Sequence, residues 1–428
     1  MSAPTIGYAG LTHLGLNSAI ASAARGFQVV GYDTDEAMVA ALKQGTLPIS
    51  EPQLLDLLVS QNSRLLFDSS PLILSACDIV YISGDIPTDD QGNSDLAPIH
   101  AMLQSATSAM RPDAVLVVLC QVPPGFTRLV KWPTSQLYYQ VETLIFGRAV
   151  ERALHPERII LGCALPLQSV DARLLVFLRA FECPILPMRY ESAELAKISI
   201  NMFLVSSVST ANTLAELCEE VGADWAEIVP SLRLDKRIGA HAYINPGLGI
   251  SGGNLERDLS TVLSYARTRS TDATVVAAWI AHSHHCKNWA WRKLQDLVLT
   301  QTPKAHLAVL GLTYKEETHS TKNSAGLALL EQLKGATVSV FDPVASFSSK
   351  GPEIYRAKTA LEATISADAL LIMTPWPEFR TISAESLLEN MRGHIVIDPY
   401  RLLNGGKLRS EGFTYVTLGA PFDLDYDH

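Results

Sequence analysis

Short apolar runs alternate with longer amphipathic ones through the first 190 residues. Residues 5–9 form a brief apolar strand that runs into Gly10-Leu11-Thr12-His13-Leu14-Gly15 and then the helical run LNSAIASAARG. A second strand, FQVVGYD, ends at Asp33, 23 residues after Gly10. Strand, glycine turn, helix, strand, acid is the opening of a dinucleotide-binding unit. Gly10 permits the tight turn and Gly15 lets the helix pack on the strand, while Thr12 stands where a middle glycine is usual. An acid at Asp33 accepts hydrogen bonds from ribose hydroxyls and repels a 2′-phosphate, so the pattern predicts NAD rather than NADP. A structural βαβ unit with no ligand is the plainer alternative.

Further runs follow the same rule. DIVYIS (78–83) leads to Gly84-Asp85-Ile86-Pro87-Thr88, and AVLVVLC (114–120) leads to Gln121-Val122-Pro123-Pro124-Gly125. Continuous apolar runs of this length read as parallel strands buried on both faces, with ligands bound at the turns beyond them. The expected cofactor set is therefore Gly10, Thr12, Leu14, Gly15, Asp33, Thr88 and Gln121. RIILG (158–162) is another strand. Residues 1–190 thus read as a doubly wound NAD-binding domain.

Between 191 and 221 the pattern changes to one long helix without proline or internal glycine. Apolar positions on more than one of its faces predict a dimer interface. Lys197 and Asn201 are four apart and share a face. This helix opens a central region assigned to 191–300. A second, smaller α/β domain is assigned to 301–428, with strands in AHLAVLGLTYK, ATVSVFDP, ADALLIMTPW and HIVIDPYRLL. The fold class expected is α/β, with two Rossmann-like doubly wound domains joined by a long central helix.

Within the central region, residues 246–258 read PGLGISGGNLERD. Gly247, Gly249, Gly252 and Gly253 crowd ahead of a helical run, which lets the backbone approach a ligand closely. Asn254 sits where an N-cap belongs, and the first-turn N–H groups suit an anionic or oxyanion-bearing substrate.

Composition narrows the classes. A 428-residue chain that is 47% hydrophobic supports two or three domains. A net charge of −10 argues against nucleic acid as the main partner. No apolar run reads as a transmembrane span, and the N-terminus lacks a signal-peptide pattern. Six cysteines without paired spacing read as reduced thiols of a cytoplasmic protein. His282, His284, His285 and Cys286 fall in a helical stretch and match no standard zinc spacing, so no metal is expected.

These motifs resemble the UDP-glucose/GDP-mannose (nucleotide-sugar) dehydrogenases nearly end to end. The glycine loop is similar to that family's PGxGYGGSCFPKD. The stretches GTLPISEPQLLDLL, GDIPTDDQGNSDL, QVPPGFT, VETLIFGRAVERALHPERIILG, DKRIG, GLTYKEETHSTKNS and LIMTPWPEF match further family segments in order. The resemblance implies an N-terminal NAD domain, a dimer through the central helix, and a C-terminal domain that binds a UDP- or GDP-sugar. It implies oxidation of the sugar C6 alcohol to a carboxylate with two NAD. It places Lys197 and Asn201 as donors to the C6 oxygen, Asp258 as a partner of a catalytic water or of the lysine, and Glu142 as the assisting glutamate. Arg237, Gly249, Gly252, Arg257, Lys315, Lys322 and Arg401 become the substrate set, with Arg237 reaching the neighbouring subunit.

The departures concentrate on the second oxidation. Asn254 occupies the position of the nucleophilic cysteine, and a carboxamide forms neither thiohemiacetal nor thioester. Gln121 and Phe146 replace a threonine and a second glutamate. Arg257 and Lys322 keep charge but change donor geometry. Tyr400 replaces a C-terminal arginine, with Arg401 one place on. The leading expectation is a single hydride transfer, alcohol to aldehyde or the reverse. A full four-electron oxidation without the cysteine, an oxidation and re-reduction that inverts a carbinol, and a non-catalytic nucleotide-sugar binder stay open beside it.

Overall fold

The computed structural model describes residues 3–87, 89, 94–165, 170–333, 336–345 and 354–422. The chain divides after Ile200 into two compact units. The division falls within the central helix, so the structure groups the chain as two units where the sequence reads as three domains.

The first unit is built on an eight-stranded sheet. Its strands are β1 (Ile6–Ala9), β2 (Val29–Tyr32), β3 (Leu65–Asp68), β4 (Ile79–Ile82), β5 (Val115–Val118), β6 (Leu137–Gln140), β7 (Ile159–Cys163) and β8 (Ile185–Arg189). Their order is β3-β2-β1-β4-β5-β6-β7-β8, the doubly wound arrangement extended by two strands. All neighbours are parallel except β6 and β7, which pair antiparallel at Tyr139 and Gly162. Every residue of β1, β2, β4 and β5 is buried, which explains why these strands read as unbroken apolar runs. The edge strand β8 carries Pro187, which an edge tolerates because one side of the strand makes no ladder.

The second unit repeats the plan with β9 (His306–Leu310), β10 (Thr337–Phe341), β11 (Ile354–Arg356), β12 (Ala369–Ile372), β13 (Ile395–Ile397) and β14 (Thr414–Val416). The order is β11-β10-β9-β12-β13-β14, all parallel. The sequence predicts four of these six strands. β11 and β14 have three residues each, too few to show a period.

Both sheets turn their first strand in the same way. Gly10 has φ +99°, and a Cβ there would lie 2.5 Å from the Gly84 nitrogen. Gly311 has φ +94°, and a Cβ there would lie 2.6 Å from the Thr374 nitrogen. Two backbones meet at each turn, with no room for a side chain between them. An acid then closes the turn: Leu11 N–H donates to Asp33 at 2.7 Å, and Leu312 N–H donates to Asp342 at 2.7 Å.

The central helix runs Tyr190–Val221, 32 residues. One stretch of it is also long and apolar enough, by length and composition alone, to cross a membrane. Its buried polar residues nonetheless find partners inside the protein. Glu194 accepts from Thr127 N–H at 2.8 Å and from Gly125 N–H at 2.5 Å, and Asn212 accepts from Gly247 N–H at 2.8 Å. Leu195, Phe203, Leu214, Leu217 and Val221 are exposed, Phe203 by 77%.

Two expectations follow. Gly311→Ala forces a side chain into left-handed backbone and into Thr374, so it should lower stability by about 2–4 kcal/mol, read by urea unfolding of the intact chain; a loss under 0.5 kcal/mol would contradict the close-approach argument. Asp342 is the second. Burial alone would raise its carboxyl pKa, but N–H groups of Ala345, Leu312, Val344 and Thr313 outweigh this and hold it below the ordinary value. A depressed folded pKa contributes stability above about pH 4 that is lost as pH falls through the lower folded value. Asp342→Asn should therefore be less stable at pH 7 and lose less stability between pH 5 and 2 than the parent. Parallel acid limbs for the two proteins would refute it.

Candidate active site

In the first unit the cofactor residues gather at the turn beyond β1. Asp33 ends β2 and is 8% exposed; its carboxylate accepts from Leu11 N–H at 2.7 Å and Asp35 N–H at 3.1 Å. Thr12 is extended (φ −74°, ψ −168°), and its hydroxyl accepts from Asp85 N–H at 3.0 Å. The hydroxyl is therefore engaged with the turn beyond β4, and the missing middle glycine is accommodated. Leu14 is a core residue, so only its backbone is available to a ligand. Gln121 is half-buried just beyond β5. Thr88 lies outside the described residues. A turn without side chains at Gly10 and Gly84, a helix starting at His13 and an acid at the end of β2 fit NAD.

The same unit holds Lys197 against Glu142. Their charged groups are 3.2 Å apart, with side chains 14% and 17% exposed. Glu142 is fixed further by Leu144 N–H at 2.6 Å. Sheltered pairs of this kind exchange protons over a short path. Glu194, one turn before Lys197 on the same helix, pins the Gly125–Thr127 backbone beyond β5. Nothing local in the chain marks that role, because the partners lie 69 and 67 positions away.

In the second unit Asn201 donates to Asp258 at 2.5 Å, and the two residues are 7% and 1% exposed. Arg257 approaches the other Asp258 oxygen at 3.6 Å. Lys197 and Asn201 are one turn apart on a continuous helix, and each meets a carboxylate of its own unit.

The glycine loop is built by contacts that leave no space for Cβ atoms. At Gly249 (φ +76°) a Cβ would lie 2.5 Å from Ser283 O, and at Gly252 (φ +86°) 2.9 Å from the Tyr314 ring. Gly252 N–H donates to Lys322 O at 3.0 Å, and the end of the Lys322 side chain lies over Gly253. Glu256, in the first turn of helix Asn254–Arg269, accepts from Lys287 at 3.1 Å and from Asn323. Tyr314, Asn323, Lys287 and Glu256 fix this loop through pairings that sequence spacing does not show.

One expected placement changes. Asn254 is not the N-cap: Gly253 takes the half-helical position (φ −124°, ψ −26°), and Asn254 is the first helical residue, exposed and without a capping bond. Glycine tolerates the N-cap, and the boundary moves by one residue. Arg401, at φ +52°, is held by Asp224 at 2.6 and 2.9 Å. Tyr400 comes closer to the glycine loop, its ring 3.8 Å from a Cβ built on Gly247. Arg237 is 89% exposed and paired with Asp235 at 2.6 Å. Lys315 is half-buried in the segment beyond β9.

The histidine run makes polar contacts with the central helix and with Cys286. His285 meets Glu216 at 2.7 Å, and His282 lies 3.3 Å from Thr213 and 3.5 Å from Cys286. All six cysteines are free thiols. Burial pushes the thiols of Cys77 and Cys120 up to about 12 and those of Cys163 and Cys286 up to about 11.

Comparison with known proteins agrees with this geometry. Residues 4–175 match the NAD binding domain of the UDP-glucose/GDP-mannose dehydrogenase family, 191–283 its central domain and 308–405 its UDP binding domain. UDP-glucose 6-dehydrogenase of Haloferax volcanii is 31% identical over 96% of this chain and 98% of its own. The enzyme of that name from Bacillus subtilis is 28% identical over 96% and 92%. A solved UDP-glucose dehydrogenase from Pyrobaculum islandicum superimposes with a TM-score of 0.82 at 26% identity, covering 94% of this chain and 96% of that one. From turn to glycine loop, the chain belongs to the UDP-glucose/GDP-mannose dehydrogenase family and is an NAD-dependent nucleotide-sugar dehydrogenase.

Proposed function

We propose that the protein oxidises the C6 alcohol of a UDP-sugar to the aldehyde, or runs the reverse, in a single two-electron step. The observations that carry this reading are the exposed carboxamide of Asn254 at the head of the glycine-loop helix and, each within its own unit, the intact Lys197–Glu142 and Asn201–Asp258 pairs. Gly10, Thr12, Gly15 and Asp33 would hold NAD, which would supply the acceptor for the C6 hydride. Lys197 and Asn201 donate to the C6 oxygen as negative charge develops. The hydroxyl proton leaves through Lys197 to Glu142, which is close enough to take it. Asp258 orients the Asn201 amide and keeps its N–H directed at the oxygen. A second oxidation needs the aldehyde as a tetrahedral adduct, and Asn254 offers hydrogen bonds without a nucleophilic electron pair.

The match of residues 308–405 to a UDP binding domain supports the uridine diphosphate part of the substrate. Lys315, Lys322 and Arg257 supply cations for it, and Tyr400 lies nearer the loop than Arg401. The exposed apolar stripe with Phe203 supports a second copy of the chain on the central helix. The unpaired thiols accord with a cytoplasmic protein.

A second reading is full oxidation to the uronic acid. It is favoured by relatives named UDP-glucose 6-dehydrogenase that align over 96% of the chain. Asn254 would then hold a hydrated aldehyde for direct transfer of the second hydride. A binder without catalysis would explain Asn254 but not the two retained pairs.

The deciding measurement is NADH formed per UDP-sugar consumed, with the product mass recorded across a panel of UDP-sugars. One NADH and an aldehyde are expected. Two NADH and an acid would overturn the single step. Lys197→Ala should lower kcat by about 10²–10⁴-fold with substrate binding kept. Binding without turnover in the parent protein would favour the non-catalytic reading instead.

A further inference from the structure

One buried pair in the first unit has no place in the chemistry above. His13 opens the helix His13–Ala24 at the dinucleotide turn. Its Nε2 lies 2.7 Å from Glu51 Oε1, with side chains 13% and 1% exposed. The same carboxylate accepts from Gly147 N–H at 3.0 and 3.1 Å and from Ala149 N–H at 3.4 Å. Phe146 lies on the imidazole, with ring centroids 4.1 Å apart. These contacts close one end of the segment that joins β6 to the helix Ala149–Leu154. Glu142 stands at the other end, against Lys197. In between, Arg152 donates to Thr143 O at 2.7 Å.

A carboxylate this deeply buried is retained only where donors satisfy it, and here every named donor serves to tie two segments together. We propose that His13 and Glu51 are positioning residues: they fasten the segment carrying Glu142 to the cofactor turn, and so set where Glu142 meets Lys197. The proposal rests on Glu142 as proton acceptor. Shifts near 1 Å at a reacting group lower rates by about 10²-fold, so a short strap has kinetic weight. The strap also links two events. A dinucleotide that orders the turn holds the Glu142 segment through the same carboxylate.

The test is a comparison of His13→Asn, Glu51→Gln, Glu142→Gln and the double variants with Glu142→Gln, on the full chain. His13→Asn and Glu51→Gln should each lower kcat about 10–100-fold while sugar KM changes less than twofold. In the Glu142→Gln background each should add less than a further twofold, because no carboxylate remains to misplace. NADH fluorescence titration, which needs no turnover, should show affinity weakened about tenfold in both single variants. A purely structural role would lower the melting temperature while the kcat losses add in the doubles, and that result overturns the proposal. Unchanged NADH affinity overturns the link to the turn. A normal kcat in Glu142→Gln removes the reading of Glu142, and this proposal falls with it; a slow Glu142→Gln with additive doubles removes the positioning role alone. If His13→Asn fails to fold, the nearly isosteric Glu51→Gln carries the same comparison.

Discussion

The fold depends on an acid that reaches back to a glycine turn. Asp33 and Asp342 each sit just beyond the second strand of a sheet and accept the N–H that follows the glycine of the first. The contact draws the turn over the strand end, and Gly10 and Gly311 let the neighbouring backbone come within touching distance. The two acids differ in how fully they are occupied. Asp342 takes N–H donors from Leu312, Thr313, Val344 and Ala345, and the Trp376 indole lies at 3.3 Å. Asp33 takes Leu11 and Asp35. The more saturated carboxylate is a structural rivet. The less saturated one keeps acceptor capacity for a ribose, which accounts for the cofactor lying on the first sheet while the second serves another ligand.

Much of this was legible in the chain because parallel strands buried on both faces write themselves as unbroken apolar runs. β1, β4, β5, β9 and β12 are of that kind, and a helix of 32 residues without glycine or proline is equally plain. The strands that escaped were short or half-exposed. β3 alternates buried and exposed residues, β8 carries a proline, and β11 and β14 have three residues each. At the site, the glycine loop and the helix lysine and asparagine were readable from spacing. Their partners were not. Glu194 meets Gly125 and Thr127, Glu256 meets Lys287 and Asn323, and Glu51 meets His13 and Gly147, all across distances that only folding closes. The pairing of Arg401 with Asp224 was equally hidden, since 177 positions separate them.

The central helix sets two polar pairs by simple periodicity. Lys197 and Asn201 are four positions apart, one turn, and each side chain is held by a carboxylate of its own unit. Cation with carboxylate and amide with carboxylate are different devices. On the proposed reading the first moves a proton, and the second fixes the orientation of a donor that never ionises. Neither needs the residue at 254. On the proposed reading the hydride step is therefore complete without a nucleophile at the head of the loop helix.

The thiols carry a consequence of another kind. On the proposed reading Asn254 heads the loop helix, and burial raises the thiol pKa of Cys77, Cys120, Cys163 and Cys286. Peroxides and electrophiles attack thiolates first. On the proposed reading no step of the hydride transfer needs a thiolate, so turnover by this chain withstands oxidants and electrophiles.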